Sequence, residues 1–202
     1  MHKLLEDSPG KEMLLLGNEA IARGAIEAGI GVASCYPGTP SSEIPDTFFT
    51  LYKDAGFYFE YSTNEKVAFD NAFAAAVSGK RAACCMKQVG LNVAADSLMS
   101  AAYIGTTGGL VIISCDDPGP HSSQTEQDTR LMARFAKVPV LDPSSPEEAR
   151  QMVGVAFDLS EEFQVPVILR PAIRVCHARE NLTWGGLKNN DKKASFEKNP
   201  GR

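Results

Sequence analysis

The sequence predicts a three-layer α/β fold, with a mostly parallel six-stranded sheet between two layers of helices. Two patterns carry this prediction. Short strand-like runs alternate with helical stretches about every 25–30 residues. Runs such as Arg81-Ala82-Ala83-Cys84-Cys85-Met86-Lys87 and Gly109-Leu110-Val111-Ile112-Ile113-Ser114 are continuously apolar instead of alternating, the signature of strands buried on both faces. A length of 202 residues, 44% hydrophobic, is enough to bury one sizeable core.

Residues 1–13 are polar and read as an N-terminal arm. Leu14-Leu15-Leu16-Gly17-Asn18-Glu19 opens a helix, with Asn18 as the cap and Gly29 able to end it. Val32 to Tyr36 is a short buried strand, and Pro37-Gly38-Thr39-Pro40-Ser41-Ser42-Glu43 is a turn leading into a helix that reaches about Tyr52. An aromatic strand over 57–61 runs into a helix beginning at Glu65 and ending near Ser78. Ser62 stands three residues before Glu65, the spacing of a capping box, in which the glutamate only satisfies a backbone N–H. A strand over 81–87, a helix over 90–103 and a strand over 109–114 follow. Asp116 to Gln124 is a long polar loop, 131–135 is helical, and 139–141 is a short strand. Pro146 suits the first turn of a helix reaching Phe163, before a last strand over 166–169. Residues 14–180 therefore form the domain, and 181–202 read as a polar tail or linker.

The net charge of −5 argues against nucleic acid as the main partner. The five cysteines lack the close spacing of a zinc or iron–sulfur site, and three lie inside strand-like runs, so they read as small core residues in a reducing, cytoplasmic setting. No stretch approaches the ~20 apolar residues of a membrane span, and there is no signal-peptide pattern.

In an open parallel sheet, ligands bind beyond the carboxyl ends of the strands. Four loops on that edge are rich in polar residues and glycine: Tyr36 to Ser42, Ser62 to Glu65, Lys87 to Asn92, and Asp116 to Gln124. None carries the glycine patterns of dinucleotide or P-loop sites, nor a nucleophile elbow. His121 reads as a solvated loop residue, Asp116-Asp117 as the start of a turn, and Lys87 as a strand-end lysine, a nucleophile or an anion anchor.

Five motifs, in order and in register, resemble a known family. They are Leu16-Gly17-Asn18-Glu19-Ala20-Ile21-Ala22-Arg23-Gly24, Tyr36-Pro37-Gly38-Thr39-Pro40-Ser41-Ser42-Glu43, Asn64-Glu65-Lys66-Val67-Ala68, Met86-Lys87-Gln88-Val89-Gly90-Leu91-Asn92, and Asp116-Asp117-Pro118-Gly119-Pro120-His121-Ser122-Ser123-Gln124. The stretch 14–179 resembles the thiamine-diphosphate-dependent 2-oxoacid:ferredoxin oxidoreductases, most of all the alpha subunit of the indolepyruvate enzymes. The resembling segment is that family's pyrimidine-binding (Pyr) domain, itself a three-layer α/β fold.

The resemblance implies that Glu65 is catalytic and meets N1′ of the cofactor's aminopyrimidine. A carboxyl there favours the imino tautomer, whose nitrogen takes the proton from thiazolium C2 to give the nucleophilic ylide. It further implies Pro37, Gly38, Lys87, Gly90 and Asn92 as cofactor contacts, and Thr39, Tyr36 and Ser41 as substrate contacts. Members that act on pyruvate usually have Ile where Gly38 stands, so Gly38 gives room for a larger, aryl side chain. The implied reaction is oxidative decarboxylation of indolepyruvate or another aryl pyruvate with CoA, giving acyl-CoA and reduced ferredoxin.

Complete alpha subunits also carry a diphosphate-binding domain with a magnesium motif and a cysteine-rich segment. Neither pattern is in this sequence, so no metal ligand is expected on this chain. Magnesium, diphosphate contacts and iron–sulfur clusters would sit on a partner domain or on gamma/beta-type subunits, in a homo- or hetero-oligomer that passes electrons to ferredoxin. The rival readings are a split thiamine enzyme that decarboxylates without oxidation and a non-catalytic, truncated binding module.

Overall fold

The computed structural model describes residues 2–189 and 192–198. Its centre is a six-stranded sheet formed by β2 (Val32–Cys35), β3 (Tyr58–Tyr61), β4 (Ala82–Lys87), β5 (Leu110–Cys115), β6 (Val140–Leu141) and β7 (Val167–Leu169). The strand order is β3-β2-β4-β5-β7-β6, and every pairing is parallel. The alternation and the continuous apolar strands predicted the parallel six-stranded sheet, but not the order of its strands.

The reason for the continuous apolar runs is visible in β4 and β5. Ala83, Cys85, Val111, Ile113 and Cys115 feed one core, with Phe48, Phe157 and Leu169. Ala82, Cys84, Met86, Leu110 and Ile112 feed the other, with Phe69, Leu91 and Leu98. Successive side chains point to opposite faces, so a strand covered on both sides has no polar face. Helices α1 (Gly17–Glu27), α2 (Glu43–Ala55) and α7 (Pro146–Phe163) cover the first face. Helices α3 (Glu65–Val77), α5 (Ala95–Ile104) and α6 (Thr129–Ala136) cover the second, with the short α4 (Gln88–Val93) between β4 and α5. Local signals set the helix ends: Ser145 caps α7 ahead of Pro146, and Gly56, at φ +73°, closes α2 in the left-handed region.

The two ends of the chain differ from the expectation. Glu12–Leu16 is a strand, β1, and not the opening of a helix; it pairs antiparallel with β8 (Arg179–Thr183), which follows the short helix α8 (Ile173–His177). Helix α1 begins at Gly17, where Glu19 reaches back to accept from the Leu16 N–H at 2.9 Å. The expected N-terminal arm is drawn into the fold within its described residues: Leu4 and Leu5 are buried beneath α1 and α2. The beginning of the expected tail is structured too, with Leu182 and Trp184 buried. Residues 190, 191 and 199–202 of that tail lie outside the described residues.

Arg23 organises this closure. Its guanidinium is fully buried and donates to the carbonyls of Leu4 (2.7 Å), Glu6 (3.0 Å) and Gly185 (3.0 Å) and to Glu27 Oε1 (2.7 Å). Its carbon lies 4.2 Å from the centre of the Trp184 ring. Polar residues near both ends hid this site from the sequence, because the buried groups that recruit them come from distant segments.

Candidate functional site

Strands β2 and β4 are neighbours, yet the chain leaves β2 toward β3 on one side and leaves β4 toward β5 on the other. Their connections diverge, which opens a crevice at the carboxyl ends, the position where open α/β sheets bind ligands. Three of the four polar loops surround this crevice.

The turn after β2 is tightly built. The Tyr36 N–H donates to the Cys85 carbonyl at 3.1 Å, fastening the turn's first residue to β4. Ser41 is buried and donates to the Gly38 carbonyl through both its N–H (2.8 Å) and its hydroxyl (2.7 Å). Asn18, at the start of α1, donates to the Pro40 carbonyl (2.8 Å) and to Glu43 (2.6 Å). Ser41 thus spends its hydroxyl proton shaping the turn, while Tyr36, Pro37 and Thr39 are exposed at its tip. Asn18 was read in the sequence as a helix cap, and its tie to Pro40 arises only from the packing.

Glu65 is the first residue of α3, directly beyond β3, and is half-buried. The capping box expected between Ser62 and Glu65 is absent. Asn64 caps α3 instead, accepting from the Val67 N–H at 2.9 Å. Ser62 turns away to bond with the Ser34 hydroxyl (2.7 Å) and to donate to Glu60 (2.9 Å). The Glu65 carboxylate makes no hydrogen bond or ion pair with the described residues. Its side chain lies against Gly90 of α4: a Cβ on Gly90 would stand 2.5 Å from Glu65 Cγ and 2.6 Å from its Oε1.

Lys66 holds this helix start in place; its pairing with Asp70 has i,i+4 spacing, but its distant partners Asp96 and Ser97 carry no sequence signal. Its ammonium donates to Ser97 Oγ (2.8 Å) and pairs with Asp96 (3.3 Å) and Asp70 (3.4 Å), while Ser97 donates to Asp70 (2.5 Å). The first turns of α3 and α5 are thereby tied together beside Glu65.

Lys87 ends β4, and its stem crosses Gly38: a Cβ there would lie 3.0 Å from Lys87 Cδ and 3.3 Å from Cγ. The structure therefore brings Glu65 to Gly90 and Gly38 to Lys87 across loops that are distant in sequence. Asn92 is exposed, and with Gln88 and Leu91 it lines a groove of about 740 Å³ between α5 and α6.

The fourth loop is fastened by its acids. Asp116 is buried and accepts from the Thr129 N–H (3.0 Å), the Thr129 hydroxyl and Arg170 Nε (2.7 Å). Asp117 Oδ2 accepts the N–H groups of His121 (3.0 Å), Ser122 (2.9 Å) and Ser123 (3.1 Å), and the Ser123 hydroxyl (3.0 Å). Burial pushes the Asp117 carboxyl up, but these donors outweigh it and hold it below the usual carboxylate range. Both aspartates are structural, and His121 is exposed, as the sequence suggested. Among the described residues no cluster of three or more His, Cys, Asp or Glu side chains is placed to hold a metal ion. All five cysteines are buried, and burial raises the thiols of Cys35, Cys84 and Cys115. No helix among the described residues is long and apolar enough to cross a membrane.

Comparison with known proteins gives a consistent result. Residues 23–200 match the family described as pyruvate flavodoxin/ferredoxin oxidoreductase, thiamine diphosphate-binding. The chain is 56% identical to the indolepyruvate oxidoreductase subunit IorA of Thermococcus kodakarensis, over 98% of this chain and 32% of that subunit. It is 52% identical to the IorA subunit of Pyrococcus horikoshii, over 98% of this chain and 31% of that one. The 2-oxoglutarate synthase subunit KorA of Methanothermobacter thermautotrophicus is 32% identical over 86% of this chain and 48% of the subunit. In fold, the chain matches 2-oxoglutarate:ferredoxin oxidoreductase from Magnetococcus marinus with a TM-score of 0.79 at 20% identity, over 93% of this chain and 33% of that one. The chain spans about a third of the length of the IorA subunits it matches.

Proposed function

The chain belongs to the pyruvate flavodoxin/ferredoxin oxidoreductase family, within its thiamine-diphosphate-binding part, and on that premise we propose that it is the Pyr domain of an indolepyruvate (aryl pyruvate):ferredoxin oxidoreductase. Its boundaries would be 14–180, extended at both ends by the β1–β8 ribbon. The single observation that carries the reading is Glu65: a half-buried carboxyl at the edge of the crevice, with no partner of its own among the described residues.

The residues fit thiamine diphosphate. Gly90 leaves the Glu65 carboxyl lying flat against α4, with the space that a Cβ would take filled by the glutamate itself. A carboxyl so held can exchange a proton with the ring nitrogen N1′, and the Lys66 ties to Asp70, Asp96 and Ser97 fix the helix that presents it. When bound, thiamine diphosphate supplies the stabilised carbanion chemistry that decarboxylation of a 2-oxoacid needs. The turn, with Tyr36, Pro37 and Thr39 exposed, offers the Tyr36 and Thr39 hydroxyls to the substrate side, and the missing side chain at Gly38 keeps that side open for an aryl group. Ser41 acts by holding that tip through the Gly38 carbonyl.

A diphosphate-binding domain or subunit would supply the magnesium, the diphosphate contacts and the other wall of the site. Iron–sulfur segments on that partner would pass electrons to ferredoxin, and CoA would accept the acyl group. The apolar groove that begins at Gln88, next to Lys87 in the chain, and is rimmed by exposed Leu131 and Phe135 suits that wall.

The test is Glu65→Gln in the assembled enzyme. The expected outcome is loss of turnover with the same melting temperature, since the side chain supports no other residue. Wild-type turnover in this variant would refute the reading.

A further inference from the structure

Lys87 stands where β4 meets the crevice, on the strand that neighbours β2 at the point where the connections diverge. It is half-buried, and its ammonium makes no hydrogen bond or ion pair with the described residues. Other cations near this edge are committed: Lys66 to Asp70 and Asp96, Arg130 to Asp128 and Asp142, Arg170 to Asp116 and Asp142. Half-buried lysines normally pair with a carboxylate or carry the ammonium outward along a buried stem. Here the stem is held across the turn, with Gly38 giving the room: any Cβ at position 38 would press within 3.0 Å of Lys87 Cδ.

We propose that Lys87 is the anion anchor of the site and takes the carboxylate of the 2-oxoacid substrate, with Gly38 as the positioning residue that keeps its stem across the turn. This rests on the reading of the chain as a thiamine-dependent Pyr domain. The anchor's stem packs on the Tyr36–Ser41 turn at Gly38, the residue before the exposed Thr39, whereas Glu65 lies against Gly90 of α4. A carboxylate and the cofactor's diphosphate share the chemistry that an ammonium recognises. The diphosphate is expected on the partner domain, which leaves Lys87 to the substrate.

The experiment uses the assembled enzyme with Lys87→Met, which keeps the length of the stem, and Lys87→Arg. Calorimetry measures binding of 3-phenyllactate, an unreactive carboxylate analogue, of its neutral amide, and of thiamine diphosphate with magnesium. In Lys87→Met the affinity for 3-phenyllactate should fall by about tenfold or more, while amide and cofactor affinities stay unchanged. Lys87→Arg should recover most of the loss. Unchanged 3-phenyllactate binding overturns the assignment, and an equal fall in cofactor affinity overturns it in favour of the diphosphate. Wild-type enzyme that binds no thiamine diphosphate would remove the underlying reading instead, so the two failures are distinguishable.

Discussion

The Glu65 side chain occupies the space that a methyl group on Gly90 would need, with Cγ, Oε1 and Cδ lying 2.5, 2.6 and 2.9 Å from the position of that missing carbon. Two loops 25 residues apart in sequence meet here in one close contact, and the contact concerns the group read as catalytic.

Gly90→Ala separates packing from function. Gly90 lies inside α4, where alanine is favoured over glycine by about 0.5–1 kcal/mol. The new methyl meets a movable side chain, so Glu65 swings aside. The expected outcome is a melting temperature at or slightly above wild type, with thiamine diphosphate affinity reduced by about tenfold or more. Denaturation and cofactor titration of the same preparation check both halves.

Gly38→Ile should act through Lys87. Its Cβ would press on the Lys87 stem, and the rest of the side chain would fill the crevice beside the Tyr36–Ser41 turn. The prediction is a shift in the ratio of kcat/KM for phenylpyruvate over pyruvate, by roughly tenfold against the aryl substrate. Steady-state kinetics on both substrates measure it, and an unchanged ratio would remove Gly38 from specificity.

The Asp116–Asp128 loop should loosen in acid. Asp117 is held below the usual carboxylate range by its backbone and Ser123 donors. Asp128 is lowered to about 2, first by the Arg130 guanidinium and then, against burial, by the Arg130 N–H. Groups whose folded values are depressed contribute stability above the unfolded value, near 3.8–3.9, and lose it as pH falls through the folded one. The protection of the His121, Ser122 and Ser123 amides, relative to intrinsic exchange at the same pH, should therefore fall below about pH 4, well before global unfolding. Asp117→Ala should show fast exchange there already at neutral pH.

Arg23→Met should open both ends of the chain. The variant leaves Glu27 with Arg150 and the Gly185 N–H and strips donors from the Leu4, Glu6 and Gly185 carbonyls. Breaking a buried, hydrogen-bonded charge in this way costs about 3–5 kcal/mol. Urea denaturation should show that loss, and limited proteolysis should cut near residues 6–11 and 184–188 first. Adding Glu27→Leu should lower stability further, because it also takes a partner from the buried Arg150 guanidinium and the acceptor from the Gly185 N–H.

Much of this was legible in the chain itself. Six apolar strands followed by helices are written in the hydrophobic periodicity, and a parallel sheet places every following loop on one edge. The loops that hold Tyr36 to Ser41, Glu65, Lys87 and Gly90 could therefore be placed on one edge from sequence, while the roles of these residues came from the family resemblance. The strand assignment failed at Leu14-Leu15-Leu16, because a short apolar run ahead of a helix has no period to separate it from the helix. Its partner, Arg179–Thr183, is too far along the chain to be inferred.

What the tertiary structure alone decided was how those loops divide their contacts. Ser62 and Glu65 have capping-box spacing, yet the Ser34 hydroxyl claims Ser62 and Asn64 takes the cap, which frees the Glu65 carboxylate. Gly38 meets Lys87, and Gly90 meets Glu65, only because β2 lies between β3 and β4. Sequence determines which side chains can do the chemistry, since that depends on residue type and local pattern. Strand order determines which of them face one another, since neighbours in a parallel sheet are set by long-range packing that no local pattern records.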